Sequence, residues 1–214
     1  MSYEKLISSL ANQGAKAALP NPYQVALKIS AALILYAALL VGLFGLRPDF
    51  SLKIKEFSFF AEIFISILAI FSAATALAFL RLPNFSDKFL SKNLSPAFFV
   101  IFTFFVSYHY FFRADNDSSL ALCGVADYRC LLAIIIFSAI PALFLLRILR
   151  QGVMTNFYFS ALMIGISSGV LSYLIERLIH ETESFDHLFI WHFLPVFIVI
   201  FLSLILTNFT TKKL

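Results

Sequence analysis

The chain has 214 residues, of which 61% are hydrophobic and only 13% charged, and its formal net charge is +4. A soluble domain carries roughly 25% charged residues, so this composition excludes an ordinary water-soluble fold. The positive charge does not indicate a nucleic-acid-binding protein, because the basic residues cluster at the ends of apolar segments rather than in a patch interleaved with aromatic residues. We therefore expect no direct contact with nucleic acid.

Residues 1–24 precede the first apolar segment and are predicted to form a cytoplasmic segment. They are mostly polar or small, which is not the pattern of a cleaved signal peptide. A short amphipathic helix is predicted here, with four apolar residues on one side. These are Tyr3, Leu6, Ile7 and Leu10. Two interpretations stay open: a helix that lies on the inner leaflet, or a helix that docks in a groove of a soluble partner.

Residues 25–214 contain six charge-free runs of 17 to 25 residues. A helix needs about 20 apolar residues to cross the hydrocarbon core of a bilayer. The runs therefore predict an all-α polytopic membrane domain with six transmembrane helices. The predicted spans are about 27–46, 59–80, 94–112, 130–149, 153–176 and 188–208.

The distribution of Lys and Arg predicts the orientation, because cytoplasmic loops carry more of these residues than external loops do. With both termini in the cytoplasm, the inner segments hold ten of the 16 basic residues and the outer loops hold six. This orientation places both cysteines, Cys123 and Cys130, and all four histidines on the outer side. The histidines are His109, His180, His187 and His192.

The fifth predicted span carries small residues at four-residue spacing: Ala161, Gly165 and Gly169. Small residues allow helices to approach closely in a membrane. This stripe is interpreted as packing within the chain or as a dimer interface, and the oligomeric state stays open. Pro141 lies in the middle of the fourth span and is predicted to bend it.

Cys123 and Cys130 are the only two cysteines, and six residues separate them. Three interpretations stay open. The pair forms a disulfide in an oxidising compartment, or the thiols react with oxidants or soft metals, or both are small packing residues.

The last outer loop, "ERLIHETESFDHLFIWH", is acidic and contains several histidines. If the fifth helix continued through it, Glu176, His180, Glu183 and His187 would share one face. Imidazole and carboxylate groups suit zinc or a similar divalent ion. The loop therefore predicts a metal site of His180, Glu183 and His187, and the alternative is a solvated acidic cap on two helices.

Three stretches resemble the NrsF family of bacterial inner-membrane anti-sigma factors. They are "RCLLAIIIFSAIPALFLLRILRQGVMTNFYFSALMIGISSG" (129–169), "LIHETESFDHLFIWHF…LILTNFTTKKL" (178–214) and the N-terminal "LISSLA". The resemblance implies an integral membrane protein that holds an extracytoplasmic-function sigma factor at the inner membrane. It also implies release of that factor when outer cysteines meet a toxic metal or an oxidant.

The resemblance also assigns candidate residues. Cys130 matches the first family cysteine, whereas Glu181 stands where the second is expected. The sensing residues are therefore predicted among Cys130, Cys123, His180 and Glu181. The four apolar residues of the N-terminal helix are predicted to contact the sigma factor. Neither catalysis nor a resident cofactor is expected, although a divalent metal ion can bind transiently.

Two other functions are weighed against this reading. A membrane thiol-disulfide oxidoreductase usually needs a tight pair of cysteines, a second relay pair and a quinone site, whereas this chain has one widely spaced pair. A small transporter usually places ionisable groups near the middle of the membrane. Here no predicted span has a charged residue deep in its centre apart from Glu62, which lies about one turn inside the outer half of the second span.

Overall fold

The computed structural model describes residues 21–81, 89–113, 128–150, 156–181 and 187–211. Every regular element in these ranges is helical. In chain order these are α1 (Pro22–Phe44), α2 (Phe50–Lys53), α3 (Phe57–Phe79), α4 (Phe89–Arg113), α5 (Tyr128–Arg150), α6 (Phe157–Ile179), a π-helical segment (Leu188–Phe193) and α7 (Leu194–Thr211).

Five helical runs are long and apolar enough to cross a membrane: α1, α3, α5, α6 and the continuous run Leu188–Phe209. The all-α membrane fold predicted from the sequence is therefore confirmed. The helix at the third predicted span, α4, has 25 residues, and its described apolar part is Asn93–Tyr108. A total of six crossings and the cytoplasmic position of both termini stay predictions.

Asparagine side chains fix where two of the helices begin. The side chain of Asn21 accepts a hydrogen bond from the Tyr23 amide at 3.0 Å, and Pro22 takes the first helical position, where its missing N–H costs nothing. Asn156 caps α6 in the same way, accepting from the Phe159 amide at 3.1 Å. As a result α1 begins before residue 27, the predicted start of the first span, and α6 begins after residue 153, the predicted start of the fifth span.

The most deeply buried helix is α6, which contacts α1, α3, α5 and α7. In its most apolar stretch of 18 residues, 83% of the residues are buried inside the protein. The corresponding share in the other four runs is at most 39%. Two glycines allow α7 to approach closely. A Cβ atom on Gly165 would lie 2.6 Å from the Cα of Ile200, and one on Gly169 would lie 3.1 Å from Cγ1 of Val196. These two members of the small-residue stripe therefore serve packing within the chain.

We expect Gly165→Ala to destabilise the protein, because the added methyl group can be accommodated only if the backbones of α6 and α7 separate. Overpacking of this kind costs about 1–3 kcal/mol. Thermal unfolding of the purified protein in detergent measures the change. Gly42→Ala in α1 is the matched control, since nothing lies within 4 Å of the added Cβ there. Equal melting temperatures for the two variants would contradict the close approach of α6 and α7.

The fourth predicted span continues as one helix through Pro141. Proline has no N–H, so the carbonyl of Phe137, four residues earlier, lacks its helical donor. The hydroxyl of Tyr36 in α1 donates to that carbonyl at 2.8 Å. This hydrogen bond satisfies the orphaned acceptor and also joins α1 to α5.

Candidate functional site

Polar side chains from several helices meet at one end of the bundle, which we call the polar end. α1 and α6 finish here, whereas α3, α5 and the π-helical segment begin here. The backbone amide of Arg47, just after α1, donates to the carbonyl of Leu178 in the last turn of α6 at 2.9 Å. In the predicted orientation this is the outer end of the protein.

A histidine cluster occupies part of the polar end and consists of Cys130, Glu176, His180, His187 and His192. The ring centroids of the histidines are 6.2 Å apart for His180 and His187, 6.0 Å for His180 and His192, and 5.1 Å for His187 and His192. The Cys130 sulfur and one ring nitrogen each of His187 and His192 lie within 4.8 Å of one another. The same spacing holds for the ligand atoms of Cys130, Glu176 and His180. Cys130 thus belongs to two overlapping sets of three potential metal ligands.

The cluster is buried on one side and open on the other. Cys130 is 4% exposed and His192 is fully buried, whereas His180 is exposed. The thiol of Cys130 is a hydrogen-bond partner of the Glu176 carboxyl. The arrangement therefore gives a sheltered thiol with imidazole and carboxylate neighbours and an exposed imidazole at the rim.

The π-helical segment explains why His187 and His192 lie together. In an α-helix, residues five apart point about 140° away from each other. In a π-helix the hydrogen bond joins residues five apart, as the Leu194 amide does with the Phe189 carbonyl. The wider turn brings the two imidazoles to the same side. Pro195 favours it, because in a regular α-helix its ring would clash with the carbonyl four residues earlier.

An ion-pair cluster lies beside the histidine cluster and consists of Glu62, Tyr173 and Arg177. Oε1 of Glu62 accepts hydrogen bonds from the Tyr173 hydroxyl at 2.6 Å and from Nε of Arg177 at 2.9 Å. The side chains of Arg177 and Glu62 are only 9% and 13% exposed. These contacts fasten α3 to α6 near the polar end.

Arg47 extends this arrangement toward the loop after α1. Its guanidinium carbon lies 5.3 Å from the ring centroid of Phe59, and that of Arg177 lies 5.0 Å from the same ring. Nε and Nη2 of Arg47 donate to the two carboxylate oxygens of Asp49, each at 2.7 Å. This hydrogen-bonded guanidinium holds the pKa of Asp49 below its usual value.

The structure brings together three residues that the sequence predicted for sensing or metal binding: Cys130, His180 and His187. Glu181 is exposed just after α6. Cys123 and Glu183 lie outside the described residues, and so do the predicted partner contacts Tyr3, Leu6, Ile7 and Leu10.

The premise that α6 continues through the last outer loop is wrong. The helix ends at Ile179, and the backbone of His180 is extended, with φ −92° and ψ 135°. The chain has to reverse here, because the π-helical segment returns into the bundle from Leu188. His180 and His187 therefore meet across this reversal and not along one helix face. His192 was not among the residues predicted for sensing or metal binding, although its spacing from His187, with Pro195 following, was a signal in the sequence.

A family model described as NrsF, negative regulator of sigma F, matches residues 11–212. A search of curated proteins found no match, and neither did a search of solved structures. The matched range covers most of the chain and includes every residue of the histidine cluster and the ion-pair cluster.

Proposed function

The chain belongs to the NrsF family of negative regulators of sigma F, and from this premise we propose that it is an anti-sigma factor of the bacterial inner membrane. It sequesters an extracytoplasmic-function sigma factor and releases that factor on a metal or oxidant signal from the envelope. The family description favours a regulatory role over catalysis.

The observation that supports this proposal is that the histidine cluster and the first residue of α1 lie at opposite ends of that helix. α1 begins at Pro22 and finishes at the polar end, beside the histidine cluster. Its 23 residues span about 34 Å at a rise of 1.5 Å per residue, which is close to the thickness of a bilayer core. The first residues of α1 therefore lie at the end of the bundle opposite Cys130. This placement suits a protein that receives a signal on one side of a membrane and holds a partner on the other.

The chemistry of the histidine cluster supports a metal or oxidant signal. A thiolate reacts with oxidants and binds soft metal ions, and the neighbours described around Cys130 are a carboxyl group and imidazoles. Cys130 lies in the first turn of α5, against α6 and the π-helical segment. A modification there changes helix packing, and it releases the partner if the signal favours the released state over the holding state.

Purification from native membranes tests the proposal. A tagged form of the chain, solubilised in a mild detergent, is expected to retain a sigma factor that mass spectrometry identifies. Treatment of the membranes with cadmium or chromate should lower the amount retained. Recovery of the intact membrane protein without any sigma factor would overturn the proposal.

We expect Cys130→Ser to weaken the transcriptional response to cadmium or chromate while leaving the sigma factor bound in unstressed cells, because the substitution removes the thiolate. Activity of the sigma-dependent promoter, with and without the signal, measures the effect. Cys123→Ser is the matched control: a loss of response in both variants indicates that the two thiols act as a pair. A full response in Cys130→Ser cells would mean that Cys130 is a packing residue with no role in sensing.

A further inference from the structure

The geometry of the histidine cluster points to a specific ligand: we propose that Cys130, His187 and His192 bind one divalent transition-metal ion of the zinc class. The ion's role as a signal rests on the proposed function, whereas its binding does not. This ligand set shares only His187 with the one predicted from sequence, because Cys130 and His192 take the places of His180 and Glu183.

The buried imidazole of His192 is the observation that indicates a ligand. Its side chain is fully buried, and neither ring nitrogen has a hydrogen-bond partner among the described residues. Buried polar groups in folded proteins are nearly always hydrogen-bonded or bound to a metal ion. One of these nitrogens lies within 4.8 Å of both the Cys130 sulfur and a ring nitrogen of His187. A metal ion in that space satisfies the imidazole.

The distances between the three ligand atoms fit tetrahedral coordination of one ion if these atoms move slightly closer together. Zinc binds nitrogen at about 2.0–2.1 Å and thiolate sulfur at about 2.3 Å, so tetrahedral ligand atoms lie about 3.5 Å apart. The three ligand atoms, at most 4.8 Å apart, need to approach by about 1.3 Å or less. Two imidazoles and a thiolate select zinc, cadmium or cobalt over magnesium and calcium, which prefer oxygen ligands.

The second set of potential ligands provides a fourth ligand and a route of entry. Glu176 and His180 both reach the Cys130 sulfur, and the imidazole of His180 is exposed at the rim. An arriving ion meets His180 first and then moves to the buried set, leaving His180 or Glu176 as the fourth ligand. The bound ion joins the first turn of α5 to the π-helical segment, which begins the last membrane run. Metal binding thus alters helix packing without a second thiol.

Cobalt titration of the purified, chelator-treated protein in detergent tests the site, because Co²⁺ reports its ligands by absorption. We expect one Co²⁺ per chain, a thiolate-to-cobalt charge-transfer band and the visible bands of tetrahedral cobalt, all removed by Zn²⁺ and unaffected by Mg²⁺. Cys130→Ser should abolish the charge-transfer band, whereas Cys123→Ser should retain it. Since loss of an outer-shell group alone costs 10–100-fold in metal affinity, His192→Leu should weaken binding about 100-fold or more.

Circular dichroism checks that each variant is folded, and a second measurement needs no substitution at all. Bound Zn²⁺ should protect Cys130 of the wild-type protein from alkylation. Wild-type protein that shows no cobalt–thiolate band would overturn the site, as would a folded His192→Leu variant that binds cobalt as tightly as the wild type. Because no sigma factor is present in these experiments, their outcome is independent of the co-purification test.

Discussion

Glu62→Ala is expected to lower the free energy of unfolding by about 3–5 kcal/mol, the usual cost of leaving one member of a buried ion pair without its partner. The substitution removes the acceptor of both Arg177 and the Tyr173 hydroxyl, and both side chains are buried. For a chain of this size the loss corresponds to roughly 10 °C in melting temperature. Thermal unfolding in detergent measures it.

Two comparisons separate this effect from a general response to losing a carboxylate. Glu56→Ala removes an exposed carboxylate 2.8 Å from Lys53, and exposed pairs contribute about 0–1 kcal/mol. The double variant Glu62→Leu with Arg177→Met is expected to be more stable than Glu62→Ala, because it leaves no buried charge without a partner. Equal losses for Glu62→Ala and Glu56→Ala would show that the Glu62–Arg177 contact contributes little.

Leu10→Asp is expected to release the sigma factor without any signal. The N-terminal helix is predicted to bind its partner through an apolar face, and truncation of a hot-spot residue costs about 2 kcal/mol or more. Since 1.4 kcal/mol is a factor of ten in affinity, the expected loss is at least about 30-fold. Activity of the sigma-dependent promoter in unstressed cells, together with the amount of the variant in the membrane, measures the result.

Ser8→Asp is the matched control for this experiment, because it adds the same charge on the opposite side of the predicted helix. It should leave the promoter silent. A silent promoter in Leu10→Asp cells that contain normal amounts of the protein would mean that the helix lies on the membrane and does not hold the partner.

The sequence predicted the helices well because each membrane span is a local property of one segment. A run of about 20 residues without charge has few alternatives to a membrane helix. The first residues of the helices were harder to predict, because they depend on single side chains. Asn21 and Asn156 decide where α1 and α6 begin, and hydropathy does not register them.

The candidate site was predicted only in part, because most of its contacts join helices that are distant in sequence. Cys130 and His187 were identified from their chemistry. The ion pair of Glu62 with Arg177, in contrast, depends on how α3 and α6 are positioned relative to each other along their axes. No periodicity within one segment encodes that relation. His192 was missed for a different reason: the spacing of five residues from His187 has meaning only in a π-helix, and the sequence was read with an α-helical period.

The hydrogen bond from Tyr36 to the Phe137 carbonyl has an evolutionary consequence. The carbonyl at position 137 accepts from the Tyr36 hydroxyl in place of the backbone amide that proline at position 141 lacks. A relative with alanine at position 141 regains the missing amide, and the carbonyl then bonds within its own helix. We therefore expect the residues at positions 36 and 141 to change together among relatives, although about one hundred residues separate them in sequence. Relatives that keep the tyrosine while position 141 varies freely would show that the hydroxyl has another role.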